Sequence, residues 1–538
     1  MGRLVAGRRA STVLSFPGVA GVDHSGTWLT GEAASQLTAV APGRVVFGVK
    51  GLLRGGAAKP GHGRSCRTLA RSAWGGPTCT ETPDGGLFLG ILSGEGGVGS
   101  PAPESVRPVH AAAEILDHAR QRAQKALGLP VSRCVIAVPA LFGPAEREMI
   151  VWAAREARLD VLALIHDGLA MALTRGTSRR ASREVLIVVG VGAGFTSVSL
   201  MTRDGDHYRE LVATGVPLGG ENIEDRIAGY LLEEFKRQPG WPAHDRAPLA
   251  TVRHAAAEAV SRLAWKDTVP VVVLHGGRTF NALLSRSQIE TFREPISHYL
   301  HQTISRLWQD WGEWARALTG GRRPPVIVSG GGLAATASVR RTLRSVLEGA
   351  KVERASPSGS VALGASLWGQ ALVRGGLAPS SATRRTMIAT VAPWTIALGR
   401  GKNKPRVIVP AGSTLPHQAA FSGIDLGKAK DGRAVIRLYE ASAEGSAGGQ
   451  PEDFTWIGDI QCQDRRTAFS PTHTEAPVPV AEAAVDSSPR GPITLRASLT
   501  QDGRLAVQAQ GADGESAVSM RLRYPGLEVL GGGSGDPK

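Results

Sequence analysis

The chain has 538 residues and a formal net charge of +15, from 62 Lys and Arg against 47 Asp and Glu. At 42% hydrophobic and 20% charged residues it carries too much apolar surface for a wholly disordered polymer, and its length predicts several domains. The basic residues are dispersed, not gathered in a stripe, which argues against a nucleic-acid partner. Cys66, Cys79, Cys134 and Cys462 show neither metal-ligand spacing nor disulfide density, so a reducing cytoplasm is expected.

The opening, MGRLVAGRRASTVLSF, lacks the apolar run of a signal peptide. The longest apolar stretch, VLIVVGVGAGFTSVSLM from Val185, is broken by three glycines and reads as strands, not as a membrane span. From Cys134 to Val138 the pattern predicts a buried strand. Ala145 to Arg158 follows as an amphipathic helix, with Ile150, Ala153, Ala154 and Ala157 on one side. Val161 to Ile165 is a second strand, with Asp167 placed to cap the short helix LAMAL. Val185 to Val189 is a third. Helices are expected at Glu221 to Arg237 and Thr251 to Trp265, a hairpin at VPVVVLHGGRTFNALLS, and a long helix from Ser287 to about Leu318. The strand VIVS from Val326 precedes helices near Ala337 to Gly349 and Val361 to Val373. Such alternation argues for an α/β architecture around a buried sheet.

Composition changes near Gly375, where GGLAPSSATRR reads as a linker over 375–386. Beyond it stand short β-like runs (RVIVP, AVIRLY, FTWIGDI, ITLRASL, RLAVQAQ) separated by turns such as KDG and QDG. This predicts an all-β module over 387–525, with loose loops near 441–450 and 470–491 and a disordered tail at 526–538.

Three glycine-rich turns stand at strand ends or helix starts. Gly190 to Gly194 follows VLIVV, but FTSVSLM after it alternates like a strand. That makes a hairpin turn, not a dinucleotide loop, and no P-loop lysine follows. Gly219 and Gly220 open the helix beginning at Glu221, a natural anion seat. Gly330, Gly331 and Gly332 follow the strand VIV. Each taken alone also fits an ordinary turn or helix start; together they make a more specific signal for phosphate than any one.

With these residues in hand, the sequence resembles the heat-shock protein 70 (seventy-kilodalton heat-shock chaperone) family, from about Gly7 to Arg523. VVFGVKGLLRG resembles the segment around that family's catalytic lysine, at Lys50. VIAVPALFGPAER resembles its interdomain-coupling turn, at Pro139 and Arg147. VLALIHDGLAMAL resembles its Asn-Glu-Pro-Thr-Ala-Ala-Ala stretch, with Asp167 at the Glu. ELVATGVPLGGENIEDRIAGYLLEEFKR is the closest stretch, and PPVIVSGGG and SPSGSVALGAS resemble the nucleotide-side loops. APWTIALG, STLP, AVIRLYE and LTQDGRLAVQA match the peptide-binding domain in order.

The resemblance implies an actin-type, two-lobed ATPase domain over 1–374 and a β-sandwich that binds peptide. Lys50 and Asp167 would take the catalytic roles. Gly192, Ala193, Gly194, Gly219, Gly220, Glu221, Gly330, Gly331 and Gly332 would bind nucleotide, with ATP and Mg2+ as cofactors. Ala434 and Ile436 would line the peptide cleft, core packing of the β module being their other reading. Unfolded polypeptide and a co-chaperone are the implied partners, with protein folding and the stress response as the setting.

The sequence also departs from the family. The family's opening strand, Gly-Thr-Thr turn and second strand have no counterpart, nor does its helical lid. A loop Asp falls at Gly190 and a closing Thr at Phe195. The adenosine-clamping helix reads Ala257, Val260, Ser261 and Ala264, an Arg falls at Leu333 and a late Asp at Ser358. ATP turnover is therefore expected to be slow or absent, binding being retained. The competing readings are a scaffold that binds a partner without nucleotide and a small-molecule kinase, which leaves the β module without a role.

Overall fold

The computed structural model describes residues 2–3, 12–13, 15–55, 77–81, 87–91, 104–175, 183–241, 247–263, 266–320, 324–355, 359–377, 387–399, 405–424, 434–442, 455–463, 493–501, 503–510 and 517–523. Ser358, Ala264, Cys66, most of the expected linker, the 470–491 loop and the tail lie outside the described residues.

Toward the N-terminus, strands Ala20–Val22, Trp28–Thr30 and Val45–Val46 form one small antiparallel sheet. Thr78–Glu81, Leu87–Ile91 and Glu104–Val106 form another. Helix Pro108–Leu127 begins on a proline, which has no amide to leave orphaned there, and stops at Gly128 in the left-handed conformation. Its inward face packs Val109 and Ala112 into an apolar core with Leu52, Leu89, Phe142 and Ile150. Strands Arg133–Val138 and Asp160–His166 pair in parallel, joined through helix Pro144–Glu156.

The largest α/β element is a seven-stranded sheet in the order Lys351–Arg354, Val326–Gly330, Arg183–Val191, Thr196–Asp204, His207–Val216, Met387–Val391, Thr414–Leu415. The interior strand Arg183–Val191 explains the unbroken run VLIVV. Val185, Ile187 and Val189 face one core and Leu186 and Val188 the other, so every side chain leaves water. The first of these cores is completed by helices Gly220–Lys236 and Ala247–Arg262, the hairpin Thr268–His275 with Arg278–Ser285, and helix Arg286–Thr319. Ser285 caps the long helix in a reciprocal box with Gln288, which sets its start one residue before the expected Ser287.

The end of the α/β part differs from expectation. Helix Ser360–Leu377 continues into the segment read as a linker from Gly375. Met387–Val391 does not open the β module: it pairs in parallel with His207–Val216 and then antiparallel with Thr414–Leu415. An apolar, β-branched run beside an open sheet edge gains a ladder there, and composition alone does not reveal the edge. The β module itself is an eight-stranded antiparallel sheet, in the order Arg406–Val409, Trp394–Gly399, Ala434–Ser442, Thr455–Gln463, Ala517–Arg523, Leu505–Gln510, Ile493–Leu499, His417–Ile424. Both halves of it contribute to one core of Trp394, Ile396, Val409, Leu438, Leu495 and Leu499. Ala441 and Ser442, expected to begin a loop, are strand residues.

Candidate functional site

The hairpin turn between Val191 and Thr196 is closed by the Gly192 amide donating to the Phe195 carbonyl at 2.9 Å. The parallel strand Val326–Gly330 sets Gly330 directly beside Gly190, which brings the 330–332 turn against the hairpin. Gly331 has a φ of 92° and lies so near the Val191 carbonyl that a Cβ would overlap it. Gly219, an extended residue, approaches the Ala193 carbonyl as closely. All three expected glycine turns therefore meet in one ring, and Gly192, Ala193, Gly194, Gly219, Gly220, Glu221, Gly330, Gly331 and Gly332 are neighbours.

One detail runs against expectation. The helix start at Gly219 and Gly220 is not an open anion seat. The Gly220 amide donates to the Gly192 carbonyl at 3.0 Å, the Glu221 amide to the Ala193 carbonyl at 2.8 Å, and the Gly219 amide to Asn222 Oδ1 at 2.8 Å. The bare glycine backbone lets the hairpin carbonyls dock where an anion would sit. Among the described residues no hydrogen bond takes up the Ala193 or Gly194 amide.

Lys50 lies on the short helix Val49–Gly55, its side chain exposed. The preceding Gly48 is left-handed, and a Cβ there would lie 2.9 Å from Glu221 Oε2. Glu221 thus packs against the turn that presents Lys50. Asp167 begins helix Asp167–Leu173. His166 occupies the cap position expected for it, and Asp167 Oδ1 instead accepts the Gly168 amide at 2.8 Å. Asp167 Oδ2 accepts the Ser197 hydroxyl at 3.2 Å. Burial pushes the Asp167 carboxyl above its ordinary value, against the pull of the Lys50 charge, the Gly168 amide, His166 and Ser197. The turn that presents Lys50 packs on Glu221, and Asp167 Oδ2 lies 3.8 Å from a Cβ at Gly190, so both segments border the glycine ring.

The carboxylates beside the ring are Asp167, each oxygen of which accepts one hydrogen bond, and Glu221; Gly190 offers no side chain, and among the described residues no three of His, Cys, Asp and Glu gather. The residues at the family's adenosine-clamping positions are apolar in effect. Val260 and Leu333 pack against the large core and Ala257 is half-buried; the Ser261 side chain lies outside the described residues.

A second polar cluster joins the α/β part to the β module. Pro139 is buried and its carbonyl accepts the Phe142 amide. Arg147 is 1% exposed. Its Nε donates to the Phe142 carbonyl at 2.7 Å, and its Nη2 meets His166 Nε2 at 2.8 Å. His166 Nδ1 lies 2.8 Å from Glu210 Oε2, which also accepts the Thr390 hydroxyl at 2.6 Å. Trp394 Nε1 of the β module donates to the same Phe142 carbonyl at 2.9 Å. Pro139 and Arg147 are the residues that the family resemblance singles out in this segment. Ser197, His166, Glu210 and Thr390 were not legible in the sequence, because their partners are distant in the chain and no periodicity links them.

In the β module, Ile436 is 5% exposed and sits in the core with Leu438 and Ile396, which is the packing reading offered beside its peptide-cleft role. The Ala434 side chain lies outside the described residues. No helix among the described residues is long and apolar enough to cross a membrane.

Comparison with known proteins adds a lineage. A family model described as Hsp70 protein matches residues 97–444. A chaperone protein HscA homolog from Methylobacillus flagellatus is 28% identical over 339 residues, 63% of this chain and 51% of that protein. Heat shock 70 kDa protein BIP3 of Oryza sativa subsp. japonica is 28% identical over 423 residues, 77% of this chain and 60% of that protein. Chaperone protein DnaK of Thermosipho melanesiensis is 27% identical over 322 residues, 57% and 52% respectively. The matched region spans half to three-fifths of these relatives' own length.

Proposed function

Because this chain belongs to the Hsp70 protein family, we propose that it is a chaperone that holds ATP in the glycine-ringed hollow and binds extended or unfolded polypeptide on its β module. The observation that carries this reading is the meeting of all three glycine turns beside Lys50 and Asp167.

The reading takes the small-sheet core around Leu52 and Phe142 as one lobe and the core around Ile227 and Leu231 as the other, in an actin-type arrangement. The eight-stranded sheet closes around its own core as a sandwich. Lys50 faces the phosphates as a point charge, and Asp167 orients a water. The amides of Ala193 and Gly194 and the 331–332 turn cradle the polyphosphate backbone. Removing one preorganised polar group from such a site lowers the rate by roughly 10²–10³. Gly190 and Leu333 supply none, so hydrolysis is slow and binding is the retained activity.

Polypeptide binds by main-chain pairing along sheet edges. A co-chaperone is the expected protein partner. A cytoplasmic setting accompanies this reading, and burial pushing the Cys134 thiol up to about 11 leaves it inert there.

The test is a titration of labelled ATP, and then of a labelled extended peptide with and without ATP. Saturable ATP binding together with a peptide off-rate that changes when ATP is added supports the reading. No ATP binding and an unchanged melting temperature overturn it.

A further inference from the structure

A cavity of about 190 Å³ lies where the α/β part meets the β module, and no residue of the glycine ring lines it. One wall is residues 162–166, on the strand Asp160–His166. A second is Trp368 and Leu372 of helix Ser360–Leu377, and a third is Ile388 and Thr390 of the strand Met387–Val391. The last is the turn at 500–504 of the β module. That turn is held against the other walls. Gln501 Nε2 donates to the Ile388 carbonyl at 2.8 Å, and a Cβ on the left-handed Gly503 would lie 3.2 Å from the guanidinium carbon of Arg147. The walls come from both parts of the chain, so the cavity is complete only while the module is seated.

The lining has two characters. Leu162, Leu169, Trp368, Leu372 and Ile388 make an apolar body. Two guanidiniums, of Arg147 at 1% exposure and of the half-buried Arg504, also line it, and among the described residues no acidic side chain does. Glu210 stands behind His166 and Thr390, with its Oε2 engaged by both. Positive charge at the side of an apolar hollow suits a ligand with an apolar body and one anionic group. A cavity of about 150 Å³ takes a benzene-sized molecule, so this one has room for a ring and a carboxylate beside it.

We propose that this cavity binds a small aromatic carboxylate, and that its occupant holds the β module against the α/β part. The ring lies among Trp368, Leu372 and Leu162. Arg147 directs its donors to the Phe142 carbonyl and His166. The carboxylate is therefore assigned to Arg504, beside the exposed Thr500 and Gln501 that form the mouth.

The experiment titrates para-fluorophenylacetate into the full chain and follows it by fluorine NMR. Saturable binding is expected. The amide analogue, para-fluorophenylacetamide, keeps the shape and lacks the charge, and is expected to bind about tenfold more weakly. Arg504→Gln is expected to bring the two within about threefold. Leu372→Trp fills the apolar end and is expected to weaken both by about tenfold or more. Because the ligand binds the seated form, exchange of the Met387–Val391 amides is expected to slow by about tenfold at a ligand concentration about ten times Kd, with no change in the hairpin strand Thr268–His275.

Absence of saturable binding overturns the proposal. Equal wild-type affinities for acid and amide, or a gap that Arg504→Gln leaves intact, remove the anionic end assigned to Arg504. Binding that leaves exchange at Met387–Val391 unchanged places the ligand elsewhere and sinks the site, even where Leu372→Trp fails to fold. Each of these failures leaves the nucleotide reading standing, since the cavity and the glycine ring share no residue.

Discussion

Arg147 fixes the tautomer of His166. A guanidinium only donates, so His166 Nε2, 2.8 Å from Arg147 Nη2, must accept. Its Nδ1 then carries a proton aimed at Glu210 Oε2, 2.8 Å away. A chain of oriented hydrogen bonds runs from the Phe142 carbonyl to Thr390, on the strand that leads into the β module.

Acid should break this chain through Glu210. Burial pushes its carboxyl up, but His166 and the hydrogen bonds it accepts outweigh burial, and the net shift is below the ordinary carboxylate value. The folded pKa lies under the unfolded one, so the stabilisation is complete above an unfolded value of about 4.3 and is lost as pH falls through the lowered folded value. Thermal melts from neutral pH to about pH 3 are expected to show a steeper loss of stability in the wild type than in Glu210→Gln. Parallel curves would contradict the assignment.

Arg147→Ala removes the donor to both Phe142 and His166. Charged hydrogen bonds of this kind contribute about 1.5–3 kcal/mol each, and a loss of about 2–4 kcal/mol is expected. Hydrogen exchange should quicken at Met387–Val391 and stay unchanged in the remote hairpin Thr268–His275. Uniform quickening would mean that Arg147 supports the fold as a whole and not the junction.

Neighbouring glycines should respond in opposite ways. Gly331→Ala forces a methyl toward the Val191 carbonyl at a positive φ, a strain of about 1–3 kcal/mol. Gly332→Ala meets nothing within 4 Å and should stay within about 0.5 kcal/mol. Differential scanning fluorimetry of the two variants, followed by ATP titration, checks both the strain and the role of the turn.

Ile436→Ala separates core from cleft. A buried isoleucine truncated to alanine costs about 2–5 kcal/mol. Chemical denaturation should show the β module weakened by that amount, with peptide affinity following stability. A variant as stable as wild type but defective in peptide binding would return Ile436 to the cleft.

Trp394→Phe deletes one indole N–H from the junction. Arg147 still donates to the Phe142 carbonyl, so no acceptor is left bare and the loss should fall near the low end of about 0.5–1.5 kcal/mol. Its signature is faster exchange at Trp394–Gly399 with little change in melting temperature.

Much of the α/β part was legible because its signals are local. The run VLIVV, the Gly276–Gly277 hairpin turn and the helix ending at Gly320 each declare themselves within a few residues. The meeting of the glycine turns was legible only through family resemblance, since Gly190 and Gly330 are neighbours by virtue of a parallel pairing across 140 residues of chain. The junction was invisible for the same reason. Glu210 and Thr390 stand 180 positions apart, and nothing in either segment marks the other. At the helix start a Gly-Gly pair signals close approach without saying whether phosphate or another backbone comes near, and here it is the hairpin backbone.

The strand Met387–Val391 is a seam: its first three residues are laced to His207–Arg209 and its last two to Leu415 and Thr414, on the stretch that joins two strands of the β module, Arg406–Val409 and His417–Ile424. A pull that separates the two parts along this short ladder opens it pair by pair from one end, at low force. The same pull directed along the strand must shear its pairs together. The seam is therefore weak to unzipping and strong to sliding, and the path by which the stretch carrying Thr414 and Leu415 lets go is written in the direction of two backbone pairs.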